Sequence, residues 1–180
     1  MTTVNDSSEI LTNPYQRGPA LGVSQWYLGA LFTWLARAED TGGAFALADV
    51  HARPGSEPPP HTHTHEDEAM LVISGEITFR AGEQAMPTSA GQLVYLPRGV
   101  EHGFTITSPE AHFLLIISPA GLETTFDELS EPAQALIPPE IPDGPPPADL
   151  MATVLAAYSA AGVRFSTSVD ARSVDAAPLR

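Results

Sequence analysis

The chain has no cysteine and no lysine; all eight of its basic side chains are arginine. Without cysteine there is no thiolate nucleophile, no disulfide, no thiolate zinc site and no iron–sulfur ligation, so any metal must sit on nitrogen and oxygen. Without lysine, Schiff bases and amine nucleophiles drop out as well. Positive charge of any kind is scarce. Eight arginines against 22 acids leave a formal net charge of −14, a field that repels phosphate backbones and anionic lipid, because nucleic-acid binding needs clustered cations to release counterions. Nucleic acid and membrane are therefore not expected as partners. Long apolar runs are missing too. No segment reaches the roughly 18 residues of a membrane span, and Met1 to Ile10 has neither the basic start nor the apolar stretch of a secretory signal. A cytoplasmic location follows by default.

What remains is ordinary globular material: 180 residues, 43% hydrophobic and 17% charged, enough for one core with peripheral arms. Residues 1–24, with Asn13-Pro14 and Gly18-Pro19, read as an irregular arm. Trp26, Leu28, Ala30, Phe32 and Trp34 recur at period two and predict a strand with one buried face; Asp40 to Gly43 predicts a turn, and Ala44 to Val50 a second strand forming a hairpin with the first. After the Pro-rich stretch Gly55 to Pro60, short strands are expected at Ala69–Ile73, Glu76–Arg80, Gln92–Leu96, Gly103–Thr107 and Ala111–Ser118. That rhythm makes 25–119 an antiparallel all-β sandwich or barrel. In 120–165 the period becomes helical at Leu122, Phe126 and Leu129. Pro138 to Pro147, with six prolines in ten residues, is an extended connector. Asp149 is placed to cap a helix running to Gly162, with Leu150, Met151, Val154, Leu155 and Tyr158 on one stripe, and 166–180 reads as a flexible tail.

Two segments carry chemistry. The first runs Gly55, His61-Thr62-His63, Glu68, Gly75; the second runs Gly91, Pro97-Arg98-Gly99, His102. A histidine-rich turn beside acids is often only a solvated loop, and Gly and Pro punctuate every β protein. Both segments in order inside an all-β pattern argue against that bland reading. Their spacing resembles the two motifs of the cupin superfamily, and the resemblance covers about residues 25–119. It implies an all-β double-stranded β-helix, or jelly-roll barrel, with a metal held by His61, His63, Glu68 and His102. One departure is visible: Ile106 stands where the second motif usually carries Asn, which is not normally a ligand.

Strand geometry agrees with the ligand set. His61 and His63 share a face at i and i+2. Glu68 has the opposite parity, but the polar Thr64 to Asp67 can turn and reset the count, so that Glu68 opens the next strand, antiparallel and close by. His102 follows the Pro97-Arg98-Gly99 turn as part of a further hairpin, with Gly91 and Gly99 suited to corners of positive φ. Three imidazoles and a carboxylate suit one divalent ion of Fe, Mn, Ni, Co or Zn at about 2.1 Å, and the donor set does not choose among them. His65 shares parity with His63 but lies in the turn and is read as solvent-facing or as an outer neighbour. His51 and His112 are read as ordinary packed histidines.

The chain length, the Gly42-Gly43 hairpin and the segment Ser118 to Leu122 leading into an acidic helix resemble bacterial single-domain cupins of the quercetin 2,3-dioxygenase-like group. That resemblance implies a metal-dependent dioxygenase using dioxygen on a small aromatic or enolic substrate, with Glu68 as ligand and general base. Met70 and Phe104, by parity with Glu68 and His102, should line the substrate cavity. By the same analogy a homodimer is expected through N-terminal strands, with Trp26, Phe32 and Trp34 as the exposed edge. Two alternatives stay open: a metal-dependent isomerase, cyclase or decarboxylase, and a non-catalytic metal- or ligand-binding module.

Overall fold

Alternation of apolar and polar residues along most of the chain yields two antiparallel sheets whose apolar faces meet. The computed structural model describes residues 13–142, 144 and 147–166. Residues 1–12 of the expected arm, residues 167–180 of the expected tail, and Asp143, Pro145 and Pro146 of the connector lie outside the described residues.

The strands are β1 (Ser24–Tyr27), β2 (Ala30–Ala36), β3 (Ala46–Ala52), β4 (His61–His63), β5 (Asp67–Ser74), β6 (Glu76–Ala81), β7 (Gln84–Ser89), β8 (Leu93–Leu96), β9 (His102–Ile106), β10 (Ala111–Ser118), β11 (Glu131–Pro132) and β12 (Val163–Phe165). Among the described residues three helices accompany them: α1 (Ala38–Thr41), α2 (Glu123–Glu128) and α3 (Ala148–Ala160). One sheet has seven strands in the order β11-β1-β2-β3-β10-β5-β8, the other five in the order β12-β4-β9-β6-β7. This is the expected all-β jelly roll. Its core is the set of inward positions: Ala46, Ala48, Val50 and Ala52 on β3, Phe113, Leu115 and Ile117 on β10, Met70 and Val72 on β5, and Ile77 and Phe79 on β6 are all buried.

Several details differ from the sequence reading, each for a local reason. The single strand expected from Trp26 to Trp34 is a hairpin, β1 and β2, closed by Leu28 (φ 45°) and Gly29 (φ 89°) between the paired Tyr27 and Ala30. Both turn residues have positive φ, as a tight two-residue hairpin requires, and leucine at such a place hides the turn. Phe32 and Trp34 do not form an exposed edge, since they are 6% and 2% exposed. The outer edge of β1 is covered by β11, and the Trp26 indole N–H donates to the Ile137 carbonyl at 2.9 Å. β7 was not foreseen because Pro87 lies within it; it is an edge strand, where the missing N–H is tolerated. The expected turn at Asp40 is the end of α1, with Gly42 left-handed after it.

At the C-terminal end, Phe126 of α2 plugs one mouth of the sandwich, with ring centroids 4.8 Å from Tyr27, 5.3 Å from Phe32, 5.5 Å from Trp34 and 5.8 Å from Tyr158. Aromatic pairs of this kind add about 0.5–1.5 kcal/mol each beyond area burial, and they join α2 and α3 to the sandwich beside the bond from the Ala38 N–H to the buried Glu123 and the Arg37–Asp127 ion pair. Asp149 does not cap α3; Pro147 occupies the cap position without a side-chain bond. Of the expected stripe only Val154 and Tyr158 are buried, while Leu150 and Leu155 face out. After α3 the chain returns as β12 and pairs with β4, placing Val163 opposite His63 and Phe165 opposite His61.

Gly75, between β5 and β6, has φ +85°, and a Cβ there would lie 2.4 Å from the Glu110 carbonyl oxygen and 2.9 Å from the Ala111 Cα. Both neighbours are backbone and cannot yield cheaply. Gly75→Ala is therefore expected to destabilise the fold by about 2–3 kcal/mol, read as a lowered urea midpoint; an unchanged midpoint would contradict this account.

Candidate metal centre

The two sheets contribute unequally to one buried cluster. His61 and His63 on β4 and His102 on β9 come from the five-stranded sheet, and Glu68 on β5 faces them from the seven-stranded sheet. β4 and β5 are thus not a hairpin as the sequence suggested: Thr64 to Glu66 carries the chain from one sheet to the other. The same holds for β8 and β9, joined across the gap by Pro97 to Glu101. Gly99 (φ 79°) turns the corner between β8 and β9 and Gly91 (φ 84°) the one between β7 and β8, both with the positive φ anticipated, and the Gly99 N–H donates to the His63 carbonyl at 2.9 Å. His61 pairs directly with His102 across β4 and β9. One potential ligand atom from each of the four side chains lies within 4.8 Å of all the others.

The hydrogen bonds fix which nitrogen faces the centre. The Nδ1 atoms of His61 and His102 stand 2.9 Å from the carbonyls of Pro59 and Val100. A carbonyl only accepts, so each Nδ1 carries a proton and each neutral ring turns the lone pair of Nε2 inward. His102 Nε2 and His63 Nε2 both lie 3.4 Å from Glu68 oxygens, yet neither has a hydrogen-bond partner. On the far side of its ring, His63 Nδ1 is 3.5 Å from Glu66 Oε2. A neutral imidazole has one N–H and cannot satisfy two carboxylates at once. A cation among the Nε2 atoms and Glu68 resolves this: the lone pairs bind it, and the His63 Nδ1–H is left for Glu66, the outer carboxylate often found behind a ligating histidine. The residues present therefore fit a divalent ion with nitrogen and oxygen ligands.

Burial and neighbouring charge act differently on the members of the cluster. Burial pushes His61 down to about 4, so its ring is neutral and ready to donate a lone pair at neutral pH. Burial alone would raise Glu68, but the His102 imidazole beside it and the charges of the surrounding histidines hold its carboxyl below the ordinary range. For His102, burial is outweighed by Glu68 and the net direction is upward.

The cluster opens into a cavity with about 70 Å³ of room for the centres of water molecules. Met70 and Phe104, both named from parity, line it, together with Phe113, Leu115, Val163 and Phe165. Its polar points include Glu68 and the hydroxyls of Tyr27 and Tyr158, which are hydrogen-bonded at 2.5 Å. Burial raises both phenols and keeps them protonated. Sequence reasoning missed these tyrosines and Phe165 because they lie outside the motif region or on its border. Glu66, 8% exposed, had one available signal: an acid three residues after a ligand histidine. His65 is exposed, as expected for a non-ligand. Ile106, at the position of the usual Asn, is buried, and its N–H is held by Glu57 at 2.8 Å. His51 and His112 are not packed in the core but half-buried on the outer face of the seven-stranded sheet.

Comparison with known proteins agrees with this geometry. A family model described as Cupin domain matches residues 48–118. An uncharacterized protein of Streptomyces coelicolor is 30% identical over 91 residues, which are 51% of this chain and 81% of that protein. The chain belongs to the cupin superfamily. The cupin fold is shared with a solved structure from Thermotoga maritima, described as a predicted oxalate decarboxylase, at 21% identity, with 59% of this chain and 99% of that chain covered and a TM-score of 0.52; the likeness is one of fold. Among the described residues of this cupin no helix is long and apolar enough to cross a membrane.

At this buried cluster the purified cupin is expected to hold one divalent transition-metal ion through gel filtration, and His63→Ala is expected to carry one ion fewer than wild type. Glu66→Gln should weaken retention about 10- to 100-fold against a competing chelator. Elemental analysis of the three proteins checks this, and undiminished metal in His63→Ala would exclude the cluster as the binding site.

Proposed function

We propose that this cupin is a metal-dependent dioxygenase acting on a small aromatic or enolic substrate. The observation that carries the reading is a single cluster of lone pairs and one carboxylate opening onto a cavity walled by aromatic rings. His61, His63, Glu68 and His102 would hold the metal. When bound, a divalent ion with open positions supplies a charge that favours an enolate and a place for dioxygen. The remaining roles belong to the chain. Phe104, Phe113 and Met70 lie against the faces of a flat substrate and exclude water, so charge developing inside is poorly screened. Glu68, the acidic group at the cavity floor, takes the proton of the substrate hydroxyl. Of the two hydrogens on Tyr27 and Tyr158 one lies in their mutual bond, which leaves the other to donate to a substrate oxygen.

A second reading is favoured by size. Pockets for drug-sized molecules usually span about 300–1,000 Å³, and the room here, about 70 Å³, suits a smaller molecule than a flavonol. A metal-dependent isomerase, cyclase or decarboxylase, in which Glu68 only moves a proton, needs no space for dioxygen.

Oxygen consumption by the metal-restored protein across a panel of flavonols and smaller enols separates the two. The dioxygenase reading expects uptake that falls by about 100- to 10,000-fold in Glu68→Gln. Turnover that continues unchanged without oxygen would transfer the assignment to the second reading.

A further inference from the structure

The period of two that turns Val50 and Phe113 inward turns a different set outward. On the outer face of the seven-stranded sheet, His51 of β3 pairs directly with His112 of β10, and Asp49 stands two residues along β3 opposite Leu114. The two imidazole rings are stacked, centroids 4.0 Å apart and 10° from parallel. Asp49 bridges them: Oδ2 is 3.0 Å from His112 Nε2 and Oδ1 is 3.4 Å from His51 Nε2. One ligand atom from each side chain lies within 4.8 Å of the other two. Their side chains are 15%, 29% and 24% exposed for Asp49, His51 and His112, open to solvent on one side only.

Behind His51 stands a second carboxylate. His51 Nδ1 is 3.8 Å from Glu110 Oε1, and Glu110 is itself fixed by Arg53, whose Nε and terminal nitrogen both lie 3.2 Å from Oε2. With both rings neutral, a plain hydrogen-bonded trio explains this badly, because the carboxylates on either side of His51 call for positive charge, from a proton or from a bound cation. If the Nε2–H groups of both neutral rings donate to Asp49, the lone pair of His51 Nδ1 is turned on Glu110, a repulsive contact. If instead both Nε2 lone pairs share a cation with Asp49, the Nδ1–H of His51 is free to face Glu110. The result is a carboxylate behind a ligating histidine, the arrangement that sets ring orientation and raises basicity at metal sites.

We propose that Asp49, His51 and His112 form a second metal site, for a borderline divalent cation of the zinc class, distinct from the buried cluster and on the opposite side of the β3 and β10 wall. Two imidazoles and one carboxylate are a common zinc ligand set, with a remaining position for water. The net charge of −14 concentrates cations at such a surface. Because its ligands come from two neighbouring strands, a bound ion clamps β3 to β10 from outside. It has no path to the cavity, since Val50, Phe113 and Leu115 close the wall between them.

Equilibrium dialysis of the full chain against micromolar zinc sulfate tests this. Wild type is expected to bind two ions per chain, and His112→Gln and Asp49→Asn one each. His63→Ala, altered only at the buried cluster, should also bind one. A single ion on wild type, or two ions still on both His112→Gln and Asp49→Asn, overturns the proposal. Should those variants fail to fold, the wild type decides alone: in long-range proton–nitrogen spectra the Nε2 resonances of His51 and His112 must shift on saturation with zinc, and unshifted resonances overturn it.

Discussion

Two imidazole lone pairs aimed at one buried carboxylate cannot rest without positive charge between them. Glu68 is 4% exposed, inside a wall that is otherwise nearly all apolar, and an unpaired charge there would cost several kcal/mol. The rest of the site follows from meeting that demand. The carbonyls of Pro59 and Val100 fix two tautomers, Glu66 stands behind the third ring, and the two sheets are held at the separation that lets β5 reach β4 and β9. A metal ion answers the whole arrangement at once, whereas protons would have to be shared among three rings.

The cluster of His61, His63, Glu68 and His102 was legible in the sequence because its spacing reflects a constraint that little else imposes: three imidazoles from two segments must reach one carboxylate, and the glycines and prolines between them set the corners. What could not be read was the path. Opposite parity between His63 and Glu68 requires a reset, but nothing in Thr64 to Glu66 says whether the chain folds back beside itself or crosses to another sheet. Pro87 concealed β7, since proline argues against a strand and gives no sign that an edge would tolerate it. Leu28 concealed a turn that glycine or asparagine would have announced. Trp34 and Phe32 were placed outside although their period-two neighbours were placed inside. The C-terminal half was least legible: a stripe that looked five residues wide buries only Val154 and Tyr158, because α3 meets the sandwich along a narrow line.

Fold and chemistry are separable here. The jelly roll accounts for where the four side chains of the cluster meet, while the aromatic wall and the Tyr27–Tyr158 pair line the cavity beside them. β3 and β10 serve both purposes and a third, since their inward residues line the cavity and their outward ones gather histidine and aspartate. One strand pair can thus carry an apolar cavity wall on one face and a polar cluster on the other.

β4 is only three residues long, and one of its two neighbours is β12, about a hundred positions later. During synthesis the strand bearing His61 and His63 must wait, half-partnered, until Val163 to Phe165 has emerged. The segment that carries His61 and His63 thus gains its full set of strand partners only after Val163 to Phe165 has been made, and in the interval both imidazoles stand open to the surroundings.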